Sequence, residues 1–501
     1  MSTLTDIVIT PIKAFKIRYL PLLTIYFAYG ASFFIGVTDT FFVKKQLGFS
    51  AASIMTIGVW LSLPWTIKMV FGQLVDSVRL FGSNRLSYIL IAASMMIFSS
   101  LLLAGLAGHW HWITALGSAY SIYLFAMLIN VIGVVLQDVV ADAMSVEVVE
   151  RKGRSPADIE HDLTMVQLLG RLAVSFAMFL VIGLGGWLAH IYSFQTMYLL
   201  TLIIPVVSVS GCLLVQLDHS PVKPIKPIIL FGGIAFGAWI ILMGLFDVAY
   251  NQEIILLVSL GVISYFLKNV TEEVSYQQRK KILIAAIVIF IFRAMPNVGP
   301  GLQWWQIDVL GFNEHFFGTL GQIGAGLSII GMWLLAKYIT EKPIAWIFIV
   351  LTVISSVLIL PIIGLYYGLH HWTEAIFGFG AHTIALIDSA LASPFVQLSM
   401  IPMLALIANN APRGNAATWF ALMASLMNLA LSTGSLVSKW LNQLWVVTRE
   451  IKHANNQVIT AANYQHLGTL LWICFFIGLV LPIATIVLLM HQDLFNKQTN
   501  K

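Results

Sequence analysis

Of 501 residues, 59% are hydrophobic and 10% are charged, against roughly a quarter charged in soluble domains. That excludes a soluble globular domain and describes a polytopic membrane protein. The net charge of +5 is no sign of nucleic-acid binding in such a chain, where the placement of basic residues counts for more than their sum. Cys212 and Cys474 both fall in apolar runs, so neither a disulfide framework nor a zinc site can be built from them.

Apolar runs of about 20 residues are candidate spans. In chain order they fall at 19–42, 53–75, 86–108, 113–146, 163–189 and 194–217. The basic residues Lys13, Lys16 and Arg18 precede a full-length span, so no cleavable signal peptide is expected. A proline-rich polar linker at 218–227 follows, then two shorter runs at 228–248 and 252–268 joined by YNQE, which read as an inserted hairpin. After the charged stretch 268–281 come six more runs, at 282–310, 313–337, 343–369, 373–408, 414–445 and 468–490, making fourteen. With the N-terminus inside, 19 of the 27 Lys and Arg lie in cytoplasmic segments. Only Lys44, Lys45, Arg449 and Lys452 lie outside, while Lys68, Arg171, Arg293 and Lys439 lie within spans. Both termini are therefore expected in the cytoplasm.

Sliding the chain against itself by 263 residues lays Leu47, Gly48 and Phe49 on Leu310, Gly311 and Phe312, and Gly58 on Gly321. The match falls at the first-to-second span junction of each six-span set. Parallel six-helix repeats are the architecture of the major facilitator superfamily. The expected fold is all-α, with an N-terminal half at 1–217, a linker and inserted transmembrane hairpin at 218–281, and a C-terminal half at 282–501.

Carboxylates inside a span are costly unless they meet a partner, a proton or water, which makes them functional-site hypotheses. Asp138 and Asp142 are four apart in the fourth span and so share one helix face. Counted at about 1.5 Å per residue, Lys68, Asp142 and Arg171 lie at a common depth. They read either as a mutually neutralising network that holds a gate or as groups that handle substrate and protons. Asp138 lies deeper, without an equally deep basic partner in its half, and reads as a proton-coupling site or as a carboxylate bonded to Asn130 or Gln137. Arg293 opens the run RAMPNVGPGLQWWQ, whose Pro296, Gly299, Pro300 and Gly301 should break the span at 282–310. Broken helices near the midplane are where transporters expose backbone to substrate. Arg293 is thus expected to bind an anion or to pair with Asp388, while Trp304 and Trp305 offer ring surface or form an interfacial belt. Lys439 reads as a snorkelling anchor, His382 as a packed histidine, HWHW at 109–112 as an aromatic loop, and Asp39 and Asp308 as solvated.

Three stretches resemble the folate-biopterin transporter family. In the second span they are Pro64, Trp65, Lys68, Gly72 and Asp76; in the fourth, Asp138, Asp142 and Glu147; late in the chain, Pro402, Pro412, Gly414, Thr418, Phe420, Ala421, Leu422 and Asn428. The chain departs from the pattern at Lys45, Met69 and Ala416. Gly72, Asp76, Arg79 and Arg85 also resemble the superfamily loop that latches the cytoplasmic side. The resemblance implies proton-coupled symport of a folate- or pterin-like anion. Arg293, Lys68 and Arg171 would face substrate carboxylates, and Asp138, Asp142 and Asp388 would carry protons. A muropeptide permease is the alternative within the superfamily. A polytopic membrane enzyme is the rival from another class, but the one long outer loop, 446–467, shows no catalytic spacing. With no P-loop, no metal cluster and no cofactor motif, the expectation is a monomeric carrier of a bacterial inner membrane, with an organic anion, protons and lipid as its partners and no nucleic acid.

Overall fold

The computed structural model describes residues 15–490 apart from 81–84, 150–152, 154–155, 215–226, 246–247, 272–274, 342, 400–401, 404–405, 408–415 and 453–457. The linker 218–226 and the family positions Pro412 and Gly414 lie outside the described residues. The helices are α1 (Leu20–Ala31), α2 (Gly36–Phe42), α3 (Ala51–Thr66), α4 (Lys68–Ser77), α5 (Leu86–Ala107), α6 (Ala119–Glu147), α7 (Pro156–Ile191), α8 (Phe194–Leu200), α9 (Ile203–Leu214) and α10 (Pro227–Leu245). They continue with α11 (Asn251–Val270), α12 (Tyr276–Arg293), α13 (Gly301–Asp308), α14 (Glu314–Glu341), α15 (Ile344–Leu358), α16 (Leu360–Tyr366), α17 (Leu369–Phe377), α18 (Ala381–Leu398), α19 (Ala416–Leu444) and α20 (Leu467–Met490). One short antiparallel pair, β1 (Ile451–Lys452) with β2 (Val458–Thr460), decorates the 446–467 loop.

Helices dominate because backbone N–H and C=O groups have no water to bond with inside a bilayer. Their starts are capped from the sequence: the Ser118, Ser193 and Ser275 hydroxyls accept from the backbone N–H three residues on. Against the fourteen expected spans, eight helices among the described residues are long and apolar enough to cross a membrane, or nine if one bent pair counts as a span. Several expected spans are interrupted. The second breaks at Ile67, between α3 and α4, and the span expected at 282–310 is unwound from Ala294 to Pro300. The expected single span 373–408 is also bent, because α17 and α18 meet at 104° around Gly378 at φ +76°.

The chain forms two compact units. The first comprises Met1–Leu47, Ile67–Trp239 and Glu314–Gln322; the second comprises Gly48–Thr66, Ile240–Asn313 and Ile323–Lys501. In the first unit Ala28, Ala31, Met96, Ala177 and Ile204 form a core of mostly small side chains. Backbones approach closely there: a Cβ added at Gly30 would lie 2.3 Å from the Val174 carbonyl oxygen, the kind of contact that small residues permit between membrane helices. The second unit packs larger groups, Ile282, Ile289, Phe348, Trp419, Met423 and Ile486, and the Trp419 indole donates to the Ile407 carbonyl at 2.7 Å.

The repeated LGF junction is visible in the backbone. Gly48 and Gly311 both lie in the left-handed region, at φ +79° and +71°, where a side chain would be strained. The hairpin α10–α11 matches its expected bounds closely, and its turn is tied down within the second unit. Gln252 donates to the Thr56 carbonyl at 2.9 Å, and Glu253 Oε1 accepts from Lys439 Nζ and Trp440 Nε1, both at 2.9 Å. Lys439 is buried in this ion pair, so it is not the expected snorkelling anchor.

Candidate functional site

The charged centre of the first unit is assembled from α1, α4, α6 and α7. Lys68 is the first residue of α4, directly after the break at Ile67. Its ammonium lies 2.5 Å from Asp138 Oδ2 and 2.6 Å from Asp142 Oδ2, because the four-residue spacing on α6 stacks both carboxylates on one face. Asp138 therefore has a basic partner in its own half after all. Depth counted along straight helices had set the two apart, whereas the long lysine side chain bridges the difference. Tyr26 of α1 donates to Asp142 Oδ1 at 3.3 Å, and its ring occupies the space left by Gly170. Exposed Arg171 makes no ion pair among the described residues but is near enough to act electrostatically on Asp138, Tyr26 and Tyr29. Gln137, the neighbour offered to Asp138, turns instead to Ser208 Oγ at 2.7 Å. Two cations and two carboxylates thus share one neighbourhood, built wholly from residues 26–171.

Toward the far end of α6, Arg85 pairs with Glu147, Nη2 to Oε1 at 2.5 Å, and donates from Nη1 to the Val75 carbonyl at 3.2 Å. Arg79 is exposed, and among the described residues no neighbouring element comes within 4 Å of where a Cβ on Gly72 would stand. The Asp76 side chain lies outside the described residues. Lys45, one of the departures from the family pattern, pairs with buried Glu314 at 2.7 Å.

In the second unit the breakers behave as expected. Helix α12 stops at Arg293, and the unwound segment 294–300 leads into α13. One stripe of α19, spaced by four, supports that segment. Gly434 admits Met295, whose carbonyl oxygen would be 2.7 Å from an added Cβ. Ser438 Oγ accepts from the Asn297 N–H at 2.9 Å, and Asn442 Nδ2 donates to the Val298 carbonyl at 3.2 Å. These partners satisfy backbone groups that the broken helix frees. Sequence reasoning missed the stripe, although Gly434, Ser438 and Asn442 at this spacing are its signature.

Arg293 and Asp388 do not pair. The Arg293 Nε and Asp388 Oδ1 atoms are buried without a hydrogen-bond partner among the described residues. Trp304 and Trp305 are 1% and 4% exposed, with the Arg449 guanidinium 5.5 Å from the Trp304 ring centre and Tyr366 5.7 Å from that of Trp305. They are core residues, neither an interfacial belt nor a free ring surface. His382 packs on Phe312 with ring centres 4.7 Å apart. Among the described residues no group of His, Cys, Asp and Glu could hold a metal ion.

A family model described as the BT1 family matches residues 30–501. The chain is 27% identical over 427 residues to the folate-biopterin transporter of Synechocystis sp., covering 84% of this chain and 75% of that protein. It is 22% identical over 465 residues to probable folate-biopterin transporter 4 of Arabidopsis thaliana, covering 86% and 90%. Among solved structures it resembles a POT family transporter in complex with 5-aminolevulinic acid, with a TM-score of 0.62, 13% identity and 95% of each chain covered. It also resembles the xylose transporter of E. coli in an inward-open conformation, with a TM-score of 0.56, 13% identity and 97% of each chain covered. At such identities what is shared is the fold, that of the major facilitator superfamily.

Proposed function

Because this chain belongs to the BT1 family, and so is a membrane transporter, we propose that it carries folate- or pterin-like organic anions by proton-coupled symport. The observation that carries this reading is the condition of Arg293. An always-charged guanidinium stands at the last helical residue before a backbone break, with one N–H buried and unanswered. Such a group invites a carboxylate, to which a guanidinium can present two parallel donors. Lys68 and Arg171 are the further cations offered to substrate.

Coupling follows from competition for Lys68. While Asp138 and Asp142 are both ionised they hold the ammonium. A proton on Asp138 releases one of its two contacts, and a substrate carboxylate takes the vacated place. Loss of that proton restores the pair and displaces the substrate. Asp388 is a second proton carrier, and Arg85 with Glu147, beside Gly72, Asp76 and Arg79, forms the cytoplasmic gate. The carrier works as a monomer in a bacterial inner membrane with both termini in the cytoplasm, moving substrate by alternating access.

The test is uptake of labelled folate and of a simple pterin into proteoliposomes, with and without an imposed proton gradient. Gradient-driven uptake that disappears in Asp138→Asn supports the reading. If the wild-type protein moves neither compound under any gradient, the substrate assignment is lost; uptake that ignores the gradient removes the coupling.

A further inference from the structure

Asp39, on α2, is not the solvated carboxylate that its place in the first span suggests. Tyr123 donates to its Oδ2 at 2.6 Å and Tyr198 to its Oδ1 at 2.7 Å, and these two tyrosines are 4% and 1% exposed. They come from α6 and α8 and are the titratable groups that face it. No ion pair reaches Asp39 among the described residues. A carboxylate held by two buried hydroxyls within a membrane span calls for a countercharge. An ionised Asp is an acceptor only, which suits two hydroxyl donors; a protonated one would have to turn its own O–H toward one of them.

Beside the carboxylate lies a cavity of about 50 Å³ whose lining includes Ser32, Asp39, Ser99, Asn130, Tyr198 and Thr201. That is room for more than a single water. Two of the lining hydroxyls have committed their protons, Ser32 to the Tyr29 carbonyl at 2.6 Å and Ser99 to that of Ala126 at 2.7 Å, while Thr201 donates to the Tyr198 carbonyl at 2.6 Å or to Ser100 Oγ at 2.9 Å. Ser32 and Ser99 can therefore offer a guest only lone pairs. The first span also tightens to 3-10 geometry over Ser32–Ile35, and both of those end residues line the cavity. Irregular helix beside oxygen ligands is how membrane carriers seat small cations.

We propose that this cavity binds a hard monovalent cation, Na+, with Asp39 as the charged ligand and neighbouring hydroxyl and amide oxygens as neutral ones. The site lies within the first unit, apart from the Lys68 centre, and its existence does not depend on which anion is carried. A proton would need the carboxylate but not the cavity beside it.

The purified full-length protein in detergent decides the matter through binding of radiolabelled Na+ and through thermal unfolding in NaCl against choline chloride at constant ionic strength and pH. We expect saturable binding and an unfolding temperature several degrees higher in Na+, both lost in Asp39→Asn. Should that variant fail to fold, Thr201→Val, which removes one neutral ligand, is expected to weaken Na+ binding about tenfold. Wild-type protein that binds no Na+ overturns the proposal, as does binding unchanged in Asp39→Asn or, where that variant does not fold, in Thr201→Val. A stabilisation that follows pH and ignores Na+ would replace it with a protonation site.

Discussion

The two units treat their intramembrane charges in opposite ways. In the first, Lys68 lies within hydrogen-bonding distance of two carboxylates and Arg85 is forked onto Glu147. In the second, Arg293 and Asp388 share a unit, yet each keeps a buried polar atom unanswered among the described residues. Both arrangements are costly in a membrane, but the first is repaid inside the protein. The second leaves one buried donor and one buried acceptor unanswered among the described residues.

The sharpest way to break this contrast is at Arg293. Arg293→Ala should lower kcat/KM for uptake by about a hundredfold or more, as loss of a charge-assisted bidentate partner does, while the unfolding temperature stays within a few degrees. A large stability loss would show that Arg293 is structural and would dissolve the distinction. Lys68 should affect stability as well as uptake. Lys68→Met strips the cation from two carboxylates and is expected to cost about 2–4 kcal/mol in unfolding by heat or denaturant, reduced by the 53% exposure of Asp142. Adding Asp138→Asn to Lys68→Met should restore part of it, which a double-mutant cycle measures. Asp388→Asn is expected to leave stability unchanged or raise it by about 1 kcal/mol, because it replaces a carboxylate with one oxygen unpaired by a neutral amide. The smallest effect on transport is foreseen for Lys439→Met, which should leave KM unaltered while costing about 2–4 kcal/mol of stability, since its buried pair with Glu253 clamps the hairpin and touches no proposed ligand.

Much of this was legible beforehand, for reasons tied to particular residues. Asp138 and Asp142 announced themselves by spacing, and the Pro and Gly residues after Arg293 announced the break, because backbone chemistry acts locally. What could not be read depends on contacts distant in sequence. Lys68 reaches Asp138 across 70 residues, and the length of its side chain defeats any depth assigned from Cα position. Trp304 and Trp305 look interfacial because they lie near the end of an apolar run, yet Arg449 and Tyr366, far along the chain, cover them. Asp39 looked solvated for the same reason: Tyr123 and Tyr198 come from helices 84 and 159 residues away. The stripe Gly434, Ser438 and Asn442 was readable in principle. Taken singly, small and polar residues in an apolar span carry no such signal; taken as one helix face, they do.

The paired turns at Gly48 and Gly311 show what a corner demands of a chain. Around them only a few letters coincide at an offset of 263, while the φ angles agree within ten degrees. A residue with a side chain there would be penalised by about 1–3 kcal/mol, so each corner calls for glycine whatever its neighbours are. Left-handed glycines in register are therefore a backbone signature that comparison of residue types alone passes over.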